Sequence, residues 1–465
     1  MADEASERAG CGGAAAGLRS NIKITEQTQF CRSRRPAIRH AGRALPACAH
    51  TQGYPRPAKR TIYRAPMPIL FLIVFIDLVG FGVIIPLLPF YGVHFGATPT
   101  EVTWMMACYS LAQFFFSPML GRLSDRLGRR PVLLVSLVVS VASYLWLGFA
   151  DALWMLFAAR LLSGAGAGNI AAAQAYITDV TPPEARAKGM GMLGAAFGLG
   201  FTIGPALGGL VAGTDPSRAD LSRPAFVAAG LSAVAFALAF ALLKESLPPE
   251  SRKARSGPSR LQAARGVLRR PLLRQLILLF FAAISAFAAM ETTYALWTNS
   301  AFGWGPAQVG LVFLYVGSVL VVVQALLIGR LSRRFGEARL VAAGSALIAL
   351  GLIGLPFALT LPRLMLVNTL LPLGMGLLNP SINSLISKQA AADERGSILG
   401  VAQAAASLAR IVGPGLAGPL FSAFGRDAPY YASAAVMVLA VAMALRLPRP
   451  KIERRAAAQG EPRAS

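Results

Sequence analysis

From Pro68 onward the chain is a succession of apolar runs about 20 residues long, and that recurrence limits its fold more than any other feature. An α-helix of about that length covers the hydrocarbon core of a bilayer. Twelve runs are read, at 68–90, 102–121, 131–150, 153–178, 189–213, 224–243, 273–298, 307–329, 339–360, 363–387, 396–421 and 429–447. Several contain Gly and Pro, which membrane helices tolerate because neighbouring helices re-satisfy the freed backbone groups. The expected fold class is an all-α membrane protein with twelve transmembrane helices.

Charge supports this reading. Only 14% of residues are charged, against about 25% in a soluble domain, too few to cover a water-facing surface. The net charge of +24 invites a nucleic-acid reading. Its distribution argues against one, because the basic residues lie in the two tails and in short turns, with no basic helix or aromatic stacking platform. The four cysteines, Cys11, Cys31, Cys48 and Cys108, have no disulfide or zinc spacing. With only His40, His50 and His94 present, histidine-rich metal chemistry is not expected, and a membrane enzyme or sensor is disfavoured. No Gly-rich loop ending in Gly-Lys-Ser/Thr is found, so ATP is not expected as a driver. No cofactor or metal is expected.

Lys and Arg counts in the turns set an expected orientation. One set of turns holds Arg122, Arg126, Arg129 and Arg130, Arg186 and Lys188, the 252–270 segment, Arg330, Arg333 and Arg334, and Arg395. The other holds only Arg218, Arg223, Arg363 and Arg426. The first set is expected in the cytoplasm. An even span count then places both termini there, in a protein of the cell inner membrane. Residues 1–66, rich in Arg, Ala and Gly, read as a disordered basic extension. Met67, directly before the first span, is a second reading for where the functional chain starts. The polar, basic segment 244–272 reads as a linker between bundles at 67–243 and 273–447, with a tail at 448–465.

The two bundles repeat one another. Gly121-Arg122-Leu123-Ser124 recurs as Gly329-Arg330-Leu331-Ser332, an offset of 208. Gly204-Pro205 recurs as Gly413-Pro414, and Glu184-Ala185-Arg186 is echoed by Asp393-Glu394-Arg395, both at 209. Three matches at nearly one offset imply duplication into two pseudo-symmetric six-helix bundles. Transporters built from such repeats place the substrate near the bilayer midplane, between the repeats.

Four motifs carry chemistry. The second span ends in Gly121-Arg-Leu-Ser-Asp125-Arg126-Leu-Gly128-Arg129-Arg130-Pro131. Its glycines allow a tight turn, and Asp125 suits a charge-assisted bond to Arg129. The fourth span carries Arg160-Leu-Leu-Ser-Gly164, an intramembrane Arg that must face protein or water. The fifth carries Gly198-Leu-Gly200-Phe-Thr-Ile-Gly204-Pro205-Ala-Leu-Gly208-Gly209, small residues that suit close helix packing. The first carries Asp77 near mid-span. Water-poor surroundings favour a carboxylic acid in its neutral form, which suits a group that takes up and releases a proton.

Together these motifs resemble the major facilitator superfamily. The resemblance implies that fold, with the Gly121–Pro131 loop as a conformational latch between the halves on the cytoplasmic face, Arg160 in proton coupling, and the Gly-Pro motif of the fifth span as a mark of antiporters. Tyr109-Ser-Leu-Ala-Gln113, Leu153-Trp154 and Ala175-Tyr176-Ile-Thr-Asp179 add a likeness to its tetracycline-efflux and multidrug subgroup. Ser143, beside Tyr144, departs from that subgroup, which carries an intramembrane Asp there; this weakens tetracycline as the substrate and leaves drug export as a class. Arg333, at the acidic position of the repeated latch, puts a second latch in doubt.

The expected function is proton-coupled efflux of small hydrophobic drug-like compounds, by a monomer that uses protons and needs no further partner but the bilayer. The alternative is an importer or exporter of another solute with the same fold. Asp77 is read as the proton carrier with Arg160 as its charge partner, or else as an acid permanently paired with an arginine. Glu291 and Arg410 are read as a pair or as a second proton site. Gln113, Asn169, Tyr294, Trp297, Asn379 and Asn383 are read as lining the substrate cavity.

Overall fold

The computed structural model describes residues 66–182, 185–214, 220, 222–247, 260–390 and 394–447. The expected extension before residue 66, the tail after 447 and the middle of the linker lie outside the described residues, as do Glu184 and Asp393. Among the described residues there are helices and no strands. The helices are α1 (Pro66–Ile84), α2 (Leu88–His94), α3 (Pro99–Leu127), α4 (Arg129–Gly148), α5 (Leu153–Gly166), α6 (Asn169–Val180), α7 (Arg186–Ala212) and α8 (Ser222–Leu242). After these come α9 (Arg260–Arg269), α10 (Pro271–Phe302), α11 (Pro306–Val322), α12 (Ile328–Phe335), α13 (Glu337–Gly354), α14 (Leu361–Lys388), α15 (Arg395–Phe424) and α16 (Ala428–Leu445). A π-helical segment, Val323–Leu327, joins α11 to α12.

Among the described residues, ten stretches are long and apolar enough to cross a membrane. The other two expected spans fall on α3, which has the length at 29 residues but less apolar character, and on α5 and α6, which interrupt one another at Ala167–Gly168. The first span runs further than expected, through α2 to His94.

Local chemistry sets several ends. Thr98 and Glu101 form a reciprocal capping box at the start of α3, with Pro99 in the first turn. Gly128 (φ 112°) separates α3 from α4, and Gly336 (φ 79°), 208 residues later, separates α12 from α13. Both turns need a backbone region that side-chain-bearing residues avoid.

The helix pairing reproduces the repeat. In the first half α1 packs on α7 and α8, α4 on α8 and α5, and α3 on α5. In the second half α10 packs on α15 and α16, α13 on α16 and α14, and α11 on α14. Between the halves α7 packs on α11 and α3 on α15, which are equivalent pairs under the same repeat. Every hydrogen bond between the halves among the described residues lies at the arginine-poor end: Thr100 Oγ1 to Ser422 Oγ at 3.0 Å, Trp104 Nε1 to the Gly415 carbonyl, and the Ala307 amide to the Gly213 carbonyl. At the arginine-rich end Arg122, Arg126, Arg330, Arg333 and Arg334 are exposed.

Candidate functional site

Asp77 sits in the apolar helix α1 and is 5% exposed. Its carboxylate accepts hydrogen bonds from Asn169 Nδ2 at 2.5 Å and from Ser232 Oγ at 3.1 Å. The interruption between α5 and α6 makes Asn169 the first residue of α6 and brings its amide to Asp77. Ser232 comes from α8 and is fully buried. Both donors are neutral, and among the described residues no cation forms an ion pair with Asp77. The reading of Asp77 as an acid locked to an arginine is therefore not what the structure shows.

Arg160, expected as the partner of Asp77, is aimed elsewhere. It is 4% exposed, with its guanidinium carbon 4.6 Å from the Tyr109 ring centroid and 5.8 Å from that of Phe81. Those rings lie 4.9 Å apart, and Phe81 also meets Phe201 edge-on. The negative ring faces attract the cation, and this holds it away from Asp77. Its Nε is buried without a hydrogen-bond partner. Tyr144, 3% exposed, interacts electrostatically with Asp77, Tyr109 and Arg160. Ser143 bonds the Ser140 carbonyl of its own helix.

In the second half Glu291 and Arg410 interact electrostatically but form no ion pair among the described residues. Arg410 instead donates to Ser407 Oγ of its own helix. Asn383 donates to the carbonyl and Oδ1 of Asn379, one turn earlier on α14. Gln113 is half-buried on α3. Two expected cavity residues are placed in the packed core instead. Trp297 is fully buried against Tyr430 and Phe302 and donates to Asp427. Tyr294, 2% exposed, accepts from Asn368. A large aromatic fills core volume best where its polar atom finds a partner, and both do so here.

At the arginine-rich end Arg129 is buried and bonds Asp125 at 2.7 Å, Asp179 at 3.0 Å and Ser124. Glu245 accepts from the backbone amides of Arg129 and Arg130, and so places an anion at the N-terminus of α4. Arg130 lies over Phe240 and donates to its carbonyl. All these partners belong to the first half, except Glu245, which stands at the start of the linker segment. Gly121 has open space around it, and Arg126 is exposed.

Helix α7 is a two-sided seam. Gly200, Gly204 and Gly208 lie against Leu78, Gly82 and Val83 of α1. On another face Gly209 lies against Pro306 and Ala307, and the carbonyl of Pro205 lies against Gly310, both contacts reaching α11 of the other half. The repeat holds here too. Gly413 lies against Ser285 of α10, and Gly418, 209 residues after Gly209, lies against Pro99 and Thr100 of α3.

The family model described as Major Facilitator Superfamily matches residues 70–414 and 302–465. The chain belongs to the major facilitator superfamily. It is 31% identical over 403 residues to the class D tetracycline resistance protein of Salmonella ordonez, covering 83% of this chain and 98% of that protein. It is 29% identical to multidrug resistance protein 2 of Bacillus subtilis (strain 168), covering 75% and 86%. Among solved structures it resembles a bacterial homologue of the human lysosomal transporter Spinster in an inward-facing, unoccupied conformation, with a TM-score of 0.68, 14% identity and coverage of 83% and 97%. The nucleoside transporter NupG gives a TM-score of 0.67 at 13% identity, with coverage of 82% and 100%. These two show the fold.

As a multi-pass member of the superfamily, this transporter has a polar centre larger than its charged residues indicate. Ser232, Tyr109 and Tyr144 belong to it, with Phe81 packed beside Tyr109, and Asp179 and Glu245 join the cluster around Asp125 and Arg129. Tyr109 and Asp179 stand in the stretches that carry the subgroup resemblance, which is a usable signal. Ser232 has none, because a serine in an apolar span reads as helix packing.

Proposed function

We propose that this protein exports small hydrophobic, drug-like compounds across the inner membrane in exchange for protons, by alternating access and without a cofactor. The observation that carries the reading is Asp77: a carboxylate inside a spanning helix, held by two neutral donors and by no arginine. Such a group can exist charged or neutral without breaking an ion pair, as a proton carrier must. The curated relatives, named for tetracycline and multidrug resistance, support export as the direction. Ser143, in place of the subgroup's acid, keeps the substrate at the level of drug-like compounds.

With the arginine-rich end in the cytoplasm, as proposed for both termini, the hydrogen bonds between the halves lie at the opposite, outer end, which supports reading this state as inward-facing. In that state Asp77 releases its proton inward and substrate enters. After the halves rock, substrate leaves and Asp77 is reprotonated from outside. The latch at Asp125 and Arg129 stays within its own half in this state and meets the other half only on reversal. A monomer suffices for this cycle.

Reconstitution in liposomes with an imposed proton gradient tests the reading. Wild-type protein is expected to drive drug uphill against the proton flow, and Asp77→Asn is expected to insert normally and lose uphill transport by at least tenfold. Uphill efflux by the Asn variant would remove Asp77 as the carrier. Movement of drug with the protons would establish the importer reading instead.

A further inference from the structure

The centre of the molecule contains two arginines that come from opposite halves and have no ion-pair partner among the described residues. Arg160, on α5, forms no hydrogen bond or ion pair there; its Nε is buried and unsatisfied, and it sits over the Tyr109 and Phe81 rings, with the Cys108 thiol also within electrostatic reach. Arg410, on α15, has one long bond of 3.3 Å to Ser407 of its own helix. Tyr109, on α3, lies under the Arg160 guanidinium and interacts electrostatically with both arginines, and α3 packs on the α15 that carries Arg410. The two acids nearby do not neutralise the pair. Asp77 is held on Asn169 and Ser232, and Glu291 interacts with Arg410 without reaching it as an ion pair.

A guanidinium withdrawn from water without a counter-ion is costly. An anion supplied by a ligand removes that cost and gains charge-assisted bonds strengthened by the low dielectric. Serines, asparagines or a lone tyrosine do not supply that charge. The arrangement is therefore incomplete without an anion, and the halves that supply the two cations are the ones that move against each other during transport.

We propose that Arg160 and Arg410 form an anion-binding site between the two halves, which recognises substrates that are amphipathic organic anions. The acidic group of the substrate bridges the two guanidiniums. Gln113, one turn beyond Tyr109 on α3 and half-buried, is placed to donate a hydrogen bond. Because one arginine belongs to each half, a bridging anion is held by both only in arrangements that bring α5 and α15 together, which links occupancy to rocking. This assignment deepens the export reading and rests on it for direction.

The test uses a matched pair of probes, 4-(1-pyrenyl)butyrate and its uncharged carboxamide, bound to the full-length protein in detergent and followed by fluorescence titration. The carboxylate is expected to bind at least tenfold tighter than the amide. Arg410→Gln is expected to lower carboxylate affinity at least tenfold more than amide affinity, with Arg410→Lys intermediate. Arg160→Gln gives the same selective loss if it folds, and the wild-type preference reads the site without any variant. Equal binding of the two probes, or equal loss of both in Arg410→Gln, overturns the proposal. Proton-driven efflux of each probe from liposomes separates the two readings. Uphill movement of the amide with no carboxylate preference leaves export standing and removes the anion site. A tenfold carboxylate preference with no proton-driven movement of either probe leaves the anion site standing and removes export.

Discussion

Glu337 stands 208 residues after Arg129 and occupies its place with the opposite charge. Each opens a helix behind a glycine of positive φ, Gly128 or Gly336. Arg129 bonds Asp179 near the end of α6; Glu337 bonds Lys388 at the end of α14. Arg333, where the first half has Asp125, left a second tie in doubt on sequence grounds. The structure has such a tie, with both charges exchanged. A helix N-terminus favours the acid, so the second half needs no equivalent of Glu245 there.

The two ties differ in burial, and this predicts unequal costs. The Arg129 side chain is 8% exposed, whereas Lys388 is 59% exposed. Asp179→Asn removes a charge-assisted bond from a buried guanidinium and is expected to cost about 1.5–3 kcal/mol. Lys388→Met opens an exposed pair and is expected to cost under about 1 kcal/mol. Thermal unfolding of the two variants in detergent gives the ranking, and equal shifts in midpoint would contradict it.

The Gly seam of α7 predicts a position-specific intolerance. A Cβ on Gly204 would lie 2.7 Å from Gly82 Cα and from the Val79 carbonyl, both backbone atoms that cannot swing away. Gly194, on the same helix, has nothing within 4 Å. Gly204→Ala should cost about 1–3 kcal/mol as overpacking. Gly194→Ala should be neutral or stabilising by up to about 1 kcal/mol, since Ala is the better helix former. Yield of monodisperse protein and its unfolding temperature measure both.

Asp220 predicts a pH effect outside the membrane. Its carboxylate accepts from the Ser222 hydroxyl at 2.6 Å, from the Ser222 and Arg223 amides at the start of α8, and pairs with Arg223. These interactions, the Ser222 hydroxyl first, hold it below its ordinary value of 3.8. A depressed acid stabilises the fold above its unfolded value, and the stabilisation is lost as pH falls through the folded value. The contribution is thus complete above about pH 4 and disappears under stronger acid. Asp220→Asn should therefore lower the unfolding temperature at pH 6, and the difference should shrink steadily as pH falls below about 4; a difference that stays constant throughout the acid range would refute the assignment.

The spans were legible because hydrocarbon imposes a length, and the halves because duplication left an offset of 208–209 that Gly209 and Gly418 still obey in contact. Asp77 was legible because few acids occur inside apolar runs. Its partners were not, since Asn169 and Ser232 lie 92 and 155 residues away and only packing selects them. Arg160 was misdirected for a related reason. Sequence pairs charges with charges, while the fold offered it the faces of Tyr109 and Phe81. Trp297 and Tyr294 were assigned to a cavity because an aromatic in a span looks the same whether it faces a lumen or the core.

Closure at the arginine-poor end predicts a lock. Thr100 and Ser422, on α3 and α15, place their hydroxyl oxygens 3.0 Å apart across the halves. Side-chain atoms that close allow the Cβ separation a disulfide needs, about 3.5–4.5 Å. In the double variant T100C/S422C a cross-link should form readily under mild oxidation. Because the bond spans the two halves at the end that must part during alternating access, it should abolish transport and reduction should restore it. Each single variant should transport normally, since neither hydroxyl is buried or charged. If the cross-linked protein still turned over, the halves would have to separate elsewhere, and the rocking cycle proposed for this transporter would be wrong even with Asp77 as its proton carrier.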